Sequence, residues 1–136
     1  MMVVDSSVAL AWGLPDEANP YADAALGELP RKSVLVPALW ATEIANGLAT
    51  AERRGRCTKN DCERFLELMT ALPIMQDVQP LNTATARAYS TARKYGLTAY
   101  DAAYLELAAR EGALLASLDK DLVKAAHKAG VKVYQQ

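Results

Sequence analysis

The sequence has too little histidine and cysteine for several common kinds of catalytic site. It contains one histidine, His127, and two cysteines, Cys57 and Cys62. A Ser-His or Cys-His nucleophilic pair is therefore not credible, and a histidine–cysteine metal site is nearly excluded for want of ligands. The cysteine spacing fits neither a C-x-x-C motif nor a disulfide framework. We predict two free thiols in a reducing compartment.

The chain also lacks long apolar runs, a glycine-rich phosphate loop and an excess of charge. No stretch approaches the roughly 20 apolar residues of a membrane span, and the first residues carry no basic region of a signal peptide. The formal net charge is −1, whereas non-specific nucleic-acid binders are usually clearly basic. We therefore expect a soluble, cytoplasmic protein without a membrane partner, in which any contact with nucleic acid is local.

Short β-branched runs alternate with longer alanine- and leucine-rich segments over the 136 residues. This length predicts one domain, residues 1–136. Strands are predicted at 2–4, 34–36, 113–117 and 131–134, with 77–80 as a weak strand or an extended link. Helices are predicted at about 6–12, 21–29, 38–54, 58–72, 82–95, 98–110 and 119–129. Strands separated by helices indicate an α/β fold, with a parallel sheet of about four to five strands between helical layers.

Four acidic residues stand where such a fold forms its sites or where a charge is costly. Asp5 directly follows the first strand, and Asp119 follows the strand at 113–117. Ligands of open parallel sheets bind at the carboxyl ends of strands. Glu43 and Asp101 lie within helices among apolar neighbours, where a charge is costly unless it is paired or binds a metal ion.

Each acid also has a purely structural interpretation. Asp5 and Asp119 are suited to cap helices. Asp101 stands three residues after Thr98, the spacing of a capping box, and Glu43 could extend to solvent. All four interpretations would have to hold together, which favours a shared role.

Metal-assisted hydrolysis of phosphodiesters is the chemistry that needs four carboxylates. Mg²⁺ and Mn²⁺ prefer oxygen ligands, and such cations activate water and offset charge on the leaving oxygen. Four clustered carboxylates cannot all ionise without cations, so at least one pKa should be raised in the empty site. His127, late in a helix beside lysines, is better explained by the helix dipole.

Four short motifs in chain order carry a family resemblance. They are Val3-Val4-Asp5-Ser6-Ser7-Val8, Thr42-Glu43-Ile44-Ala45-Asn46, Gly96-Leu97-Thr98-Ala99-Tyr100-Asp101-Ala102 and Leu115-Ala116-Ser117-Leu118-Asp119-Lys120-Asp121-Leu122. Each is weak alone, but together, at these separations, they resemble the motifs of PIN-domain proteins of the VapC type along the whole chain.

The resemblance implies a three-layer α/β/α sandwich with an acidic pocket for Mg²⁺ or Mn²⁺. It also implies a single-strand-directed endoribonuclease, a homodimer, and a co-expressed VapB-like antitoxin as the partner of this toxin. The residues that match the family's catalytic and metal-binding acids are Asp5, Glu43, Asp101 and Asp119. The matching polar positions that support metal or water are Ser7, Asn46 and Ser117. Asp121 is a second acid in the last motif. Asp119 lies nearer the end of the strand, which favours Asp119 as the acid that faces the pocket.

Basic clusters are candidates for contacts with RNA phosphates. Arg53, Arg54, Arg56 and Lys59 surround the end of the long helix, and a second group, Lys120, Lys124 and Lys128, shares one helix face. A solvated surface is the alternative for both groups. Trp12, Leu14, Tyr21 and Trp40 are predicted either to pack into the core or to form an exposed patch for a partner.

Two other functions are alternatives to a ribonuclease toxin. A phosphatase of the haloacid dehalogenase kind also begins with a strand ending in Asp, but it needs an acid two residues later, where this chain has Ser7. A non-catalytic PIN-like module that binds RNA or protein would be marked by loss of one or more acids, and all four are present.

Overall fold

The computed structural model describes residues 1–136 as an α/β protein with one parallel sheet. The four strands are β1 (Met2–Val4), β2 (Val34–Val36), β3 (Ile74–Gln76) and β4 (Leu114–Ala116). The helices are α1 (Ser6–Gly13), α2 (Pro20–Glu28), α3 (Leu39–Arg53), α4 (Lys59–Thr70), α5 (Leu81–Tyr95), α6 (Ala99–Glu111) and α7 (Lys120–Lys128), with a 3₁₀ turn at Pro15–Glu17. The predicted fold class is confirmed.

The strands lie in the order β3-β2-β1-β4, all parallel. The chain therefore builds outward from β1 through β2 to β3 and then returns to place β4 on the other side of β1. This reversal makes the carboxyl ends of β1 and β4 the topological switch point, where open parallel sheets form their ligand crevices. Residues 5 and 117 follow these two strand ends directly.

Two strand predictions need correction. Residues 131–134 do not form a full strand: Val133 makes a single parallel bridge to Leu115. The third strand is Ile74–Gln76, directly before the segment at 77–80. That segment is an extended link: the Asp77 backbone N–H still donates to the carbonyl of Val36, at 2.8 Å, and Pro80 has no N–H for a strand ladder.

Helix ends follow local chemistry that is visible in the sequence. The Thr58 side chain accepts a hydrogen bond from the backbone N–H of Asp61, and the Asp61 carboxylate accepts one from the backbone N–H of Thr58. This is a complete capping box. Helix α6 ends at Gly112 with a φ of 62°, a left-handed conformation that glycine adopts without steric cost.

The core lies on both faces of the sheet and includes β1 in full. Its largest fully buried side chain is Tyr104 of α6. Leu14 and Trp40 are buried in the core, and Trp12 and Tyr21 are half-buried against it. Cys57 and Cys62 are buried free thiols, as predicted. None of the helices combines the length and apolar character needed to cross a bilayer.

Candidate active site

Asp5 is held at the switch point by both neighbouring strand ends. Its backbone N–H donates to the carbonyl of Ala116, at 2.9 Å, which continues the β1–β4 pairing by one residue. Its side chain, 5% exposed, accepts hydrogen bonds from the hydroxyls of Ser7, at 2.9 Å, and Ser117, at 2.7 Å. Asp5 occupies the N-cap position of α1 but makes no capping hydrogen bond. Its carboxylate faces the site and does not cap the helix.

The two serines that hold Asp5 also order the loop after β4. The Ser7 hydroxyl accepts from the backbone N–H of Leu118, at 3.2 Å, and the Ser117 hydroxyl accepts from that of Asp119, at 3.0 Å. Each serine thus links Asp5 to the segment that carries Asp119. These contacts give the predicted supporting residues Ser7 and Ser117 a positioning role toward two of the four acids.

Glu43 reaches the site from the second turn of α3. The hydroxyl of Tyr104 donates to its Oε1, at 2.5 Å. Burial raises the pKa of Glu43, and the charge of Asp5 adds to the rise, although the Tyr104 hydrogen bond opposes it. Tyr104 is not among the residues predicted from the sequence. Its signal was the spacing, because a residue three positions after Asp101 shares its helix face.

Asp101 enters from the first turn of α6. The Thr98 hydroxyl accepts from the backbone N–H of Asp101, at 3.2 Å, but the carboxylate makes no return bond to Thr98, so the capping box is only half formed. Burial raises the pKa of Asp101 to about 6, and the charges of Asp119, Asp5, Glu43 and Asp121 add to the rise in that order. The carboxylate therefore lies within reach of the other three acids.

Asp119 both caps a helix and faces the site. Its Oδ1 accepts from the backbone N–H groups of Asp121, at 2.9 Å, and Leu122, at 3.1 Å, which begins α7. Its second oxygen makes no hydrogen bond within the chain, so one carboxylate oxygen is available to a ligand. Asp119 acts on Asp101 more strongly than Asp121 does, which agrees with Asp119 being the acid at the strand end.

The other candidate residues lie outside this cluster. Asn46 is exposed on α3 and makes no side-chain hydrogen bond, and Arg53 and Arg54 are exposed at the end of that helix. Arg56 forms ion pairs with Asp16, at 2.7 Å, and with Glu17, at 3.1 Å, so acids of its own chain occupy its guanidinium. Lys120 is exposed beside the site on α7.

The donor set fits a hydrated divalent cation. No three acidic, histidine or cysteine side chains are close enough to enclose a metal ion by themselves. Mg²⁺ is usually bound through one or two carboxylates and keeps several waters, so these oxygen ligands do not have to enclose the ion by themselves. None of the four acids forms an ion pair with a lysine or arginine of the chain, so no side chain of the protein compensates their charge directly.

Comparison with known proteins agrees with the fold. A sequence model of the PIN domain matches residues 2–128. Ribonuclease VapC3 of Pyrobaculum aerophilum is 32% identical over 123 residues, which cover 90% of this chain and 92% of that protein.

Solved structures show the same architecture. PAE2754 from Pyrobaculum aerophilum superposes with a TM-score of 0.67 and 25% identity, over 91% of this chain and 78% of that one. FitAcB from Neisseria gonorrhoeae gives 0.64 and 21%, over 99% and 97%. VapBC2 from Rickettsia felis, solved with a DNA fragment from their promoter, gives 0.65 and 12%, over 99% and 98%. With the family match and the VapC3 relative, the conclusion is that this chain belongs to the PIN-domain family and is related to the VapC ribonucleases.

Proposed function

We propose that this protein is a metal-dependent endoribonuclease and the toxin of a toxin–antitoxin pair, with residues 1–136 forming a single PIN domain. One observation carries the proposal: four carboxylates from four separate segments lie near one another at the β1–β4 switch point, and no lysine or arginine forms an ion pair with any of them. Such an uncompensated cluster is suited to bind Mg²⁺ or Mn²⁺. The proposal includes a cytoplasmic location.

The four acids have distinct tasks in this proposal. Asp5, Asp101 and Asp119 would hold the cation, with Asp5 oriented by its two serines and Asp119 presenting its free oxygen. A bound divalent cation supplies Lewis acidity, which activates a water and offsets charge on the phosphate. Glu43, half-buried and with a raised pKa, is placed to accept the proton of the attacking water. Tyr104 orients Glu43 through its hydroxyl.

Hydrolysis by direct attack of this water needs no covalent enzyme intermediate. The water oxygen forms the new bond to phosphorus, the bond to the leaving ribose oxygen breaks, and that oxygen takes up a proton from solvent. The water proton passes to Glu43. The chain offers no credible alternative nucleophile, because its one histidine, His127, is exposed on α7 and not hydrogen-bonded to a serine or cysteine.

We further infer a VapB-like antitoxin and a second copy of the chain as partners. FitAcB and VapBC2, whose folds match this one, support the first. An exposed apolar surface around α5 supports the second: Val78 is 83% exposed, Leu81 81% and Tyr100 65%, and α5 itself has no buried residue. Leu81→Asp should convert a dimer to a monomer in sedimentation analysis. A wild-type protein that is monomeric at micromolar concentration would contradict the dimer.

A non-catalytic PIN-like module that binds RNA or protein is the alternative function. The four neighbouring acids without any ion-pair partner favour the enzyme, since a pure binding surface has no need for mutually repelling, partly buried acids.

A cleavage assay on total RNA separates the two functions. Wild type and Asp5→Asn are compared in EDTA, Mg²⁺ and Mn²⁺, with Asp61→Asn as a control that removes one surface acid from α4. Discrete fragments that require both the metal and Asp5, and persist in the control, are the expected result. A folded wild-type protein that cleaves no RNA in either metal would favour the binding module. Expression without an antitoxin should also slow growth, and harmless accumulation of active enzyme would contradict the toxin role.

A further inference from the structure

A cleft of about 570 Å³ opens directly beside the acidic site, between α7 and the start of α2. Its walls include Ser117, which holds Asp5, and Tyr21, Val123 and the three lysines Lys120, Lys124 and Lys128. The acidic cluster and this basic cleft are therefore continuous through Ser117. A polymer bound with one phosphate at the acids would have its adjoining residues at this cleft.

The three lysines form a row along one face of α7. They are spaced four residues apart, so their Cα atoms follow one another at about 6 Å along the helix axis, comparable with successive phosphates of an extended strand. All three are exposed. None forms an ion pair within the chain, whereas Lys32 and Lys59 are paired with Glu28 and Glu63.

A fixed aromatic ring lies at the edge of the cleft. The Tyr21 hydroxyl donates to the carbonyl of Tyr134, at 3.0 Å, and the two rings pack at a centroid distance of 5.5 Å. The half-buried Tyr21 ring is thus held in one orientation at the edge of the cleft. Fixed aromatic faces beside a row of cations are the usual means of binding single-stranded nucleic acid, since every base has a face that stacks.

We propose that this cleft binds the single-stranded RNA that flanks the scissile phosphate, with Lys120, Lys124 and Lys128 contacting successive phosphates and Tyr21 stacking on a base. The inference rests on the proposed function. It also explains how a chain of net charge −1 binds a polyanion: the positive charge is concentrated in one row beside the catalytic acids. Asp121, exposed in the first turn of α7, is the one acid on that helix beyond its N-cap.

The test compares two double variants with the same change in net charge. Lys124→Gln/Lys128→Gln removes two cleft cations. Lys94→Gln/Lys132→Gln removes two exposed lysines elsewhere, on α5 and beside the amino-terminal end of β4. Affinity for a fluorescein-labelled single-stranded RNA of about 12 nucleotides, within the site sizes of single-strand binders, is measured in EDTA over a range of salt concentrations. Hydrolysis of the small diester bis(p-nitrophenyl) phosphate with Mn²⁺ measures the catalytic step alone, because this substrate has no flanking nucleotides to contact the cleft.

The cleft variant should bind the RNA about tenfold more weakly, and its log–log salt slope should fall by about 1.4, the value for two phosphate contacts on a single strand. The control variant should stay within twofold of wild type. Both should hydrolyse bis(p-nitrophenyl) phosphate at the wild-type rate. Tyr21→Leu should also weaken RNA binding about tenfold, whereas Tyr21→Phe, which keeps the ring, should restore it.

Equal RNA affinities for the two double variants would overturn the proposal, because the effect would then be one of net charge alone. Loss of phosphate-diester hydrolysis in the cleft variant would also overturn it, by placing the lysines in the catalytic machinery. Unchanged RNA binding combined with weakened binding of an antitoxin polypeptide would assign the cleft to a protein partner. A wild type that does not hydrolyse the diester contradicts the proposed function, while the RNA-binding comparison still decides the cleft.

Discussion

The same four-residue pattern, Thr-x-x-Asp, begins two helices of this protein and gives two different carboxylates. In Thr58–Asp61 and in Thr98–Asp101 the threonine hydroxyl accepts the aspartate's backbone N–H, at 3.1 and 3.2 Å. The Asp61 carboxylate also accepts a hydrogen bond from the backbone N–H of Thr58, and these hydrogen bonds lower the pKa of Asp61. The Asp101 carboxylate accepts none from Thr98, and burial among like charges raises its pKa to about 6. Local pattern places both helices; the surroundings decide which acid is available for chemistry.

The largest contrast should be in RNA cleavage. Asp101→Asn removes a proposed ligand and should reduce the cleavage rate by about two to three powers of ten, as loss of a group that stabilises transition-state charge commonly does. Asp61→Asn should leave the rate within twofold of wild type. Both rates are measured on the same RNA at saturating Mn²⁺. Similar losses in the two variants would mean that the pattern matters only for folding.

The two acids should also affect stability with opposite dependence on pH. The folded protein binds the Asp101 proton more tightly than the unfolded chain does, so the metal-free protein should lose on the order of 1–2 kcal/mol of stability as pH rises from about 4 to 6. Asp61, whose pKa is lowered in the folded protein, stabilises the fold when its carboxylate is charged. That stability is lost as pH falls below the pKa that Asp61 has in the unfolded chain and through its lower pKa in the folded protein. Urea unfolding in EDTA at a series of pH values measures both effects.

The variant Asp101→Asn should flatten the falling part of this profile, and Mg²⁺ should restore stability to wild type above pH 6 by supplying the missing positive charge. A wild-type profile that rises between pH 4 and 6, with no change in the variant, would refute the raised pKa.

Removing the threonine cap should separate structure from activity. Thr58→Ala and Thr98→Ala should each lower stability by about 1 kcal/mol, the usual cost of losing an N-cap side chain. Only Thr98→Ala should also slow cleavage, by a few fold, because Asp101 is then less firmly placed. Thermal unfolding and initial rates on one RNA provide the two measurements, and equal rates for both variants would argue against a positioning role for Thr98.

The residue three positions further along each helix gives another contrast. Arg64 lies 3.7 Å from the Asp61 carboxylate at the surface, so Arg64→Gln should change stability by less than about 0.5 kcal/mol. In α6 the same position is Tyr104, which donates to Glu43. Tyr104→Phe should slow cleavage about tenfold and move the acidic limb of the rate–pH profile to higher pH, because a bond to the charged Glu43 is lost. If the acidic limb of the rate–pH profile does not move, Glu43 is not the proton acceptor.

Much of the fold could be predicted because its signals are local. The apolar three-residue run before Asp5 predicted β1, and the helices predicted at about 58–72 and 98–110 correspond to α4 and α6. Strand β3 was not predicted because Ile74–Gln76 is short and, apart from half-buried Ile74, exposed at the sheet edge. It therefore lacks the run of apolar residues by which a buried strand is predicted from sequence. The strand at 131–134 was overestimated because a β-branched run does not show whether a neighbouring strand is there to pair with it.

The positions of the four acids could be predicted, but their environments could not. The ends of parallel strands and the first turns of helices are local features, so the sequence by itself determined that Asp5, Asp101 and Asp119 stand at such ends. Tertiary structure decided that Tyr104 donates to Glu43, that Ser117 holds Asp5, and that Arg56 is occupied by Asp16. These contacts join residues 40 to 112 positions apart. The pKa of a carboxylate depends on its burial and on charges within a few ångströms, whatever their distance in sequence, and only the folded chain brings those groups together.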